Sequence, residues 1–318
     1  MVITILAILV AIWLRTFIRG LTYPFIFDSI SMPLYSLAVK LISPATFYSR
    51  VITVLLVVTI TFYLLHINGK FIIIKQRTYL PILVFIVVSS AFIPVQRINP
   101  AIFASLFIII ALNHIFTSYQ KENPLDNLFR AGLMLGIASL FYAPAGVMYS
   151  ILFIGLSMLR PFNAREWIVS ILGITVPWGF LIFTYYWLDI DISALVNMVK
   201  NNLITGTTSS IAESMPIVFT ILIGIPTLVA LLYLIPSMSA QKISVRKYQN
   251  ILLWLLLLCA FSFVVIPTCS YEIAYIGAIP LSYQLTSYFS SAKGKFWPEV
   301  LFILLFVAVL VIQIFPLG

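Results

Sequence analysis

Long apolar runs follow one another along the whole chain and are separated by short polar segments. About 20 consecutive apolar residues are enough for a helix to cross the hydrocarbon core of a membrane. The pattern predicts an all-α polytopic integral membrane helical bundle with about 11 transmembrane segments, in which residues 1–318 form a single membrane-embedded domain. The predicted crossings are 2–14, 50–66, 79–95, 99–117, 130–143, 145–159, 167–187, 215–236, 250–267, 272–290 and 297–315.

Two parts of this pattern are unusual. The short apolar segments on either side of Pro144 form either two crossings or one helix broken at that proline. The segment 272–290 carries Glu272 and Gln284 among several hydroxyl side chains. Polar groups of this kind are costly against lipid, so this segment is expected to face protein or water.

Composition excludes several classes of protein. Hydrophobic residues make up 62% of the chain and charged residues 8%, and the mean hydropathy is +1.13. Soluble domains are about 45–50% apolar and about 25% charged, so an ordinary soluble enzyme, a disordered tail and a fibrous protein are excluded. Cys259 and Cys269 do not have the spacing of metal ligands, which argues against a zinc site or a disulfide framework. The sequence also lacks the HExxH, GxGxxG, P-loop and GxSxG motifs, and we expect no metal and no cofactor.

The 18 basic residues give a net charge of +9, but they are scattered through short loops. This distribution argues against nucleic-acid binding and follows the positive-inside rule of membrane proteins. Alternate loops hold twelve basic residues on one side and six on the other. The richer side is expected to be cytoplasmic, which places the protein in the cytoplasmic (inner) membrane with its N-terminus inside. An amphipathic helix is predicted within 29–45, in the outer interface.

Candidate chemistry collects at the predicted outer face. Guanidinium groups bind phosphate through paired N–H donors, and a nearby carboxylate can remove a proton from an acceptor hydroxyl. This combination suits an enzyme that takes a sugar from a lipid phosphate in the outer leaflet. Arginines that snorkel and carboxylates of solvated loops are the alternative interpretation of each residue. The residues concerned are Arg15, Arg19, Asp28 and Arg97, with Asp189, Asp191 and Glu272 as possible acceptor-side groups.

The order of features over residues 1–160 resembles the GT-C superfamily of membrane glycosyltransferases, which use polyprenyl-phosphate-linked sugars. The matching features are an acidic residue after the first crossing, Asp28, then PLYSLAVKL at 33–41, Arg97 before the fourth crossing, and LMLGIASLFY at 133–142. The resemblance implies that Asp28 is the general base or orients the acceptor, and that arginines hold the lipid phosphate. Residues 161–318 would supply the C-terminal helices. The chain departs from the superfamily in its single acidic residue in this loop and in its shorter length.

The runs ASLFYAPA and LRPFNAREWIVSILGITVPW resemble a second group, uncharacterised polytopic membrane proteins of Bacteroidota, some of which carry a carotenoid monooxygenase label. Such an oxygenase needs several histidines for iron, and this chain has two. Two functions are therefore expected. The first is a GT-C-like glycosyltransferase whose partner is a polyprenyl-phosphate lipid. The alternative is a non-catalytic membrane subunit or scaffold of an envelope-assembly or secretion complex, with other membrane proteins as partners.

Overall fold

A computed structural model describes residues 2–19, 31–43, 46–76, 78–91, 93–204, 214–237, 241–292 and 296–314. Within these ranges there is no β-strand, which confirms the all-α class. The described residues also contain three short 3₁₀ helices, at Ile93–Val95, Ala143–Met148 and Tyr271–Ile273. The α-helices are α1 (Val2–Arg19), α2 (Pro33–Leu41), α3 (Phe47–Phe71), α4 (Leu80–Ser89), α5 (Pro100–Thr117), α6 (Leu125–Phe141), α7 (Tyr149–Leu159), α8 (Ala164–Trp187), α9 (Ile192–Ile204), α10 (Ser214–Ser237), α11 (Ile243–Val265), α12 (Ala274–Ser291) and α13 (Phe296–Ile314).

Several helix starts follow from local sequence. Asn99 accepts a hydrogen bond from the backbone N–H of Ile102 at 2.9 Å, and Pro100 occupies the first position of α5. Asn163 caps α8 in the same way. These side chains satisfy backbone donors that have no partner inside the helix.

The chain reverses at Pro144. Helix α6 ends at Phe141, the 3₁₀ turn Ala143–Met148 follows, and α7 then begins. Nη1 of Arg160, just beyond α7, donates to the Ser118 carbonyl at 2.8 Å and to the Lys121 carbonyl at 2.7 Å, so the end of α7 lies beside the connection between α5 and α6. Helices α6 and α7 are therefore antiparallel rather than one broken helix.

The expected count of about eleven crossings is not supported. Four helices among the described residues are long and apolar enough to cross a membrane: α3, α5, α8 and α11. Helix α4 has 10 residues, which at 1.5 Å per residue is about 15 Å and half the thickness of a hydrocarbon core. Apolar runs in the sequence correctly located helices, but several of these helices are too short, or too polar, to span alone.

Helix α12 lies at the centre of the bundle, packed on α4, α5, α10 and α11. Every residue from Tyr275 to Tyr288 is buried, including the side chains of Ser282, Gln284 and Thr286. The expectation that segment 272–290 avoids lipid is confirmed. Most exposed apolar side chains belong instead to the surrounding helices, with the outer faces of α8 and α11 among them.

The starts and ends of the helices gather at two opposite ends of the bundle. At one end Lys70 Nζ donates to Thr117 Oγ1 at 2.8 Å, Arg160 donates to the Lys121 carbonyl at 2.7 Å, and Lys247 Nζ lies 5.1 Å from the Tyr119 ring. These contacts join the ends of α3, α5 and α7 to the start of α11. We call this the basic end, because nine described basic residues lie there: Lys70, Lys75, Lys121, Arg130, Arg160, Arg165, Lys242, Arg246 and Lys247.

Candidate functional site

The candidate site lies at the opposite end, where the segments 93–99 and 266–273 meet. Tyr275 Oη donates to the Val95 carbonyl at 3.1 Å and so joins the start of α12 to the segment between α4 and α5. Gln96 holds that segment in place. Its Nε2 donates to the Ser90 carbonyl at 2.5 Å, and its Oε1 accepts from the Thr16 hydroxyl of α1.

Arg97 lies in this segment and is partly buried. Asn99 Nδ2 donates to the Arg97 carbonyl at 3.0 Å, and Tyr35 of α2 donates to the Ile98 carbonyl at 3.2 Å. Burial lowers the pKa of the Arg97 guanidinium, and the neighbouring Tyr35 partly opposes this. Because a guanidinium keeps its proton at any physiological pH, Arg97 places a fixed positive charge at this end.

Glu272 is fully buried in the turn between α11 and α12, outside the four candidate spans. Its Oε1 accepts hydrogen bonds from Tyr142 Oη and from the Ser270 backbone N–H, both at 3.3 Å. Its Oε2 accepts from the Ser270 hydroxyl. Tyr142 Oη also lies 3.3 Å from Cys269 Sγ.

Among the described residues, no basic nitrogen lies within 4.0 Å of the Glu272 carboxylate. Burial therefore dominates and raises its pKa to about 7, although the hydrogen bonds from Ser270 and Tyr142 oppose this. A carboxyl group with a pKa near neutrality exchanges a proton easily at physiological pH. We call Glu272, Ser270, Cys269 and Tyr142 the Glu272 cluster.

Asp189 and Asp191 do not join this cluster. Both are exposed between α8 and α9, and Asp191 caps α9 by accepting from the Ser193 N–H at 2.9 Å. Hydrogen bonds from the Ser193 hydroxyl and backbone N–H lower the pKa of Asp191. The far end of α9 contacts the 266–273 segment, since Thr268 donates to the Asn202 carbonyl. Asn202 follows Asp191 by eleven positions, a rise of about 17 Å along a helix, so Asp191 lies far from the Glu272 cluster.

Asp28 lies outside the described residues, so its distance from Arg97 is not defined. Arg15 and Arg19 occupy the last turns of α1, and their side chains also lie outside the described part of the chain. The backbone places both near this end, because Thr16 between them bonds Gln96. Arg50 of α3 donates to the Thr16 carbonyl at 3.1 Å.

Sequence reasoning singled out Glu272 but missed Tyr142, Ser270 and Tyr35. The run TCSYE at 268–272 was a usable signal, because five residues able to hydrogen-bond interrupt two apolar segments. The contact with Tyr142 had no such signal, since it joins residues 130 positions apart. In the described part of the chain, no group of three or more His, Cys, Asp or Glu side chains is placed to hold a metal ion.

Comparison with known proteins identifies a family but no chemistry. No curated protein matches the chain, and no solved structure does. The resemblances to GT-C enzymes and to proteins of Bacteroidota are therefore still predictions. One family model covers residues 25–316, nearly the whole chain. The protein belongs to this family, which is described as a family of unknown function (DUF6427).

Proposed function

We propose that the protein is a membrane glycosyltransferase that uses a polyprenyl-phosphate-linked sugar at the outer face of the cytoplasmic membrane. Arg97, with Arg15 and Arg19, binds the lipid phosphate. Asp28 removes the proton of the acceptor hydroxyl or orients that hydroxyl. Glu272 acts on the acceptor side as a second proton-exchanging group.

The observation that carries this proposal is the position of Arg97 and Glu272 in adjoining segments at one end of the bundle. The Tyr275–Val95 hydrogen bond joins these segments. A fixed guanidinium charge suits a phosphate, and a carboxyl group of raised pKa suits the transfer of a proton. The two groups together match the needs of a reaction between a lipid phosphate and a hydroxyl.

The charge distribution supports the orientation. Nine described basic residues lie at the basic end, and this excess favours a cytoplasmic location for that end. The end of the bundle that holds Arg97 and the buried Glu272 then lies on the side of the outer leaflet. Thr16, near the end of α1, also lies at the Arg97 end. In the proposed orientation the start of α1 is therefore on the cytoplasmic side.

A second candidate is a non-catalytic membrane subunit. It is favoured by the complete enclosure of Glu272, whose hydrogen bonds are those of a structural group, and by the exposed outer half of α8. Large apolar side chains such as Phe180, Phe183 and Trp187 lie on that half.

Transfer activity decides between the two candidates. The full chain in lipid nanodiscs is incubated with a panel of short-chain polyprenyl-phosphate sugars and a membrane extract as acceptor, and released polyprenyl phosphate is measured by mass spectrometry. We expect release from at least one donor, and loss of release in Asp28→Asn with an unchanged melting temperature. Glu122→Gln, at the basic end, is the matched control and should retain activity. Release no greater than from empty nanodiscs, or equal release from Asp28→Asn, would exclude the catalytic proposal and leave the subunit.

A further inference from the structure

Helix α9 presents three different faces around its axis, and one of them contacts the rest of the protein. Leu195 and Asn202 are buried and lie two turns apart on the same side. The Asn202 carbonyl accepts a hydrogen bond from Thr268, beside the Glu272 cluster. This face fixes the helix on the bundle.

Over residues 192–200 of α9, the two remaining faces are chemically distinct. Ile192 and Val196, four residues apart, form an apolar stripe and are 42% and 60% exposed. Ser193, Asn197 and Lys200 form a polar stripe beside it, and all three are exposed. At 100° per residue the two stripes occupy adjacent sides of the helix. In water, an exposed apolar stripe does not stabilise a helix. Within hydrocarbon, the polar stripe would lose its hydrogen bonds to water.

The start of α9 lies next to the end of a candidate span. Helix α8 has 24 residues, or about 36 Å, which exceeds the hydrocarbon thickness of about 30 Å. Its last residues include the exposed side chains of Tyr186 and Trp187, residue types that favour the headgroup level. The cap from Asp191 begins α9 four residues after Trp187. The apolar stripe of α9 thus starts where the lipid-exposed surface of α8 ends.

We propose that α9 is an interfacial helix that binds the membrane surface. Ile192 and Val196 enter the boundary between headgroups and acyl chains, and the stripe of Ser193, Asn197 and Lys200 faces water. This assignment is independent of the proposed function, because it rests only on the faces of α9 and the end of α8.

Neighbouring cysteines on the two stripes test the assignment. Val196→Cys and Asn197→Cys are made separately in the full chain, labelled with a nitroxide and placed in lipid nanodiscs. Collision rates with oxygen, which concentrates in lipid, and with a water-soluble nickel chelate are measured by electron paramagnetic resonance. The unsubstituted chain, whose Cys259 and Cys269 are buried, gives the background signal.

We expect the oxygen-to-nickel ratio at position 196 to exceed that at position 197 several-fold. Equal ratios dominated by nickel would place α9 in water and overturn the proposal. Low collision rates with both probes at position 196 would show that a protein surface, such as a second copy of the chain, covers the stripe. That result would also overturn the proposal. The collision rates do not depend on whether the protein has transferase activity, so this test is separate from that of the proposed function.

Discussion

At the residue scale, the two buried carboxylates of the described chain are stabilised in opposite ways. Glu166 is paired with the Arg160 guanidinium, whose Nε lies 3.0 Å from Oε2. Within the described ranges, the donors to Glu272 are hydroxyl groups and a backbone N–H. A buried carboxyl group without a cationic partner favours its protonated form, as at Glu272. Loss of the cationic partner should therefore matter at Glu166, and a change of pH should matter at Glu272.

Glu272 makes stability depend on pH. Burial raises the folded-state pKa to about 7, above the unfolded value near 4.5, so the folded protein binds the proton more tightly. The free energy of unfolding is then highest below about pH 4.5 and falls as pH rises from there to about 7. Above about pH 7 it levels off, and the total decrease is about 3 kcal/mol. We expect the melting temperature in detergent to fall between pH 5 and 8, and Glu272→Gln to remove most of that slope. The exposed variant Glu122→Gln should keep it. A Glu272→Gln protein with the wild-type slope would show that another group titrates.

Arg160 should be far more important for stability than Arg130. Arg160→Ala removes the partner of buried Glu166 and the donors to the Ser118 and Lys121 carbonyls, at a cost of about 3–5 kcal/mol. Arg130 pairs with Asp126 on an exposed surface, so Arg130→Ala should cost less than about 1 kcal/mol. Thermal unfolding measures both. The double variant Arg160→Ala/Glu166→Gln should recover part of the loss, and an equal effect of the two single variants would contradict this account.

At the element scale, α6 and α8 pack with their backbones almost in contact. A methyl group on Gly132 would lie 2.4 Å from the Ser170 carbonyl oxygen, and one on Gly173 would lie 2.4 Å from the Phe129 carbonyl oxygen. Distances this short cannot be relieved by rotating a side chain, because backbone atoms block the space. Small residues at such crossings allow helices in membranes to approach closely.

Alanine at these glycines should separate the two helices. Gly132→Ala and Gly173→Ala are each expected to lower the melting temperature by several degrees and to reduce folded yield. Gly179→Ala, on the same helix α8, is the control, since nothing lies within 4 Å of its added methyl group. That variant should be neutral or slightly stabilising, because alanine favours helix by up to about 1 kcal/mol. Equal effects at positions 173 and 179 would argue against close packing.

The sequence predicted the positions of the helices better than it predicted how many of them cross the membrane or which side chains meet. Apolar runs located the helices, and the polar residues of 272–290 correctly indicated burial in protein. The predicted 29–45 amphipathic helix corresponds to the shorter α2, which buries Tyr35 and leaves Leu37 and Leu41 exposed. The count of about eleven crossings is not supported, because only four of the described helices are long and apolar enough to span a membrane. Hydropathy alone does not reveal which helices end partway through a bundle. Pairings such as Tyr142 with Glu272 depend on tertiary packing and leave no local pattern.

At the scale of the whole molecule, the two ends of the bundle differ in chemistry. The basic end carries Lys and Arg around the starts and ends of six helices, and the other end carries Arg97 and the Glu272 cluster. Such an asymmetry matters in a membrane because basic residues are retained in the cytoplasm. The orientation of the chain therefore decides on which side of the membrane Arg97 and the Glu272 cluster lie.

Labelling of introduced cysteines in intact cells measures the orientation of the chain in the membrane. Ile190→Cys, in the exposed turn after α8, should react with a membrane-impermeant maleimide added outside. Lys121→Cys, at the basic end, should react only after the membrane is permeabilised. The reverse pattern would invert the orientation and move Arg97 and Glu272 to the cytoplasmic side. Labelling at both positions from outside would contradict the two-ended arrangement itself.

Binding of a polyprenyl phosphate to the Arg97 end tests the central claim most directly. The full chain in nanodiscs is titrated with undecaprenyl phosphate and followed by native mass spectrometry, with Arg97→Gln compared to Arg130→Gln. Both variants remove one positive charge, but from opposite ends of the bundle. A bidentate guanidinium–phosphate contact is worth about 1.5–3 kcal/mol, so Arg97→Gln should weaken binding about 10- to 100-fold while Arg130→Gln leaves it unchanged. No binding by the wild-type chain, or the same affinity in both variants, would contradict a lipid-phosphate site at Arg97.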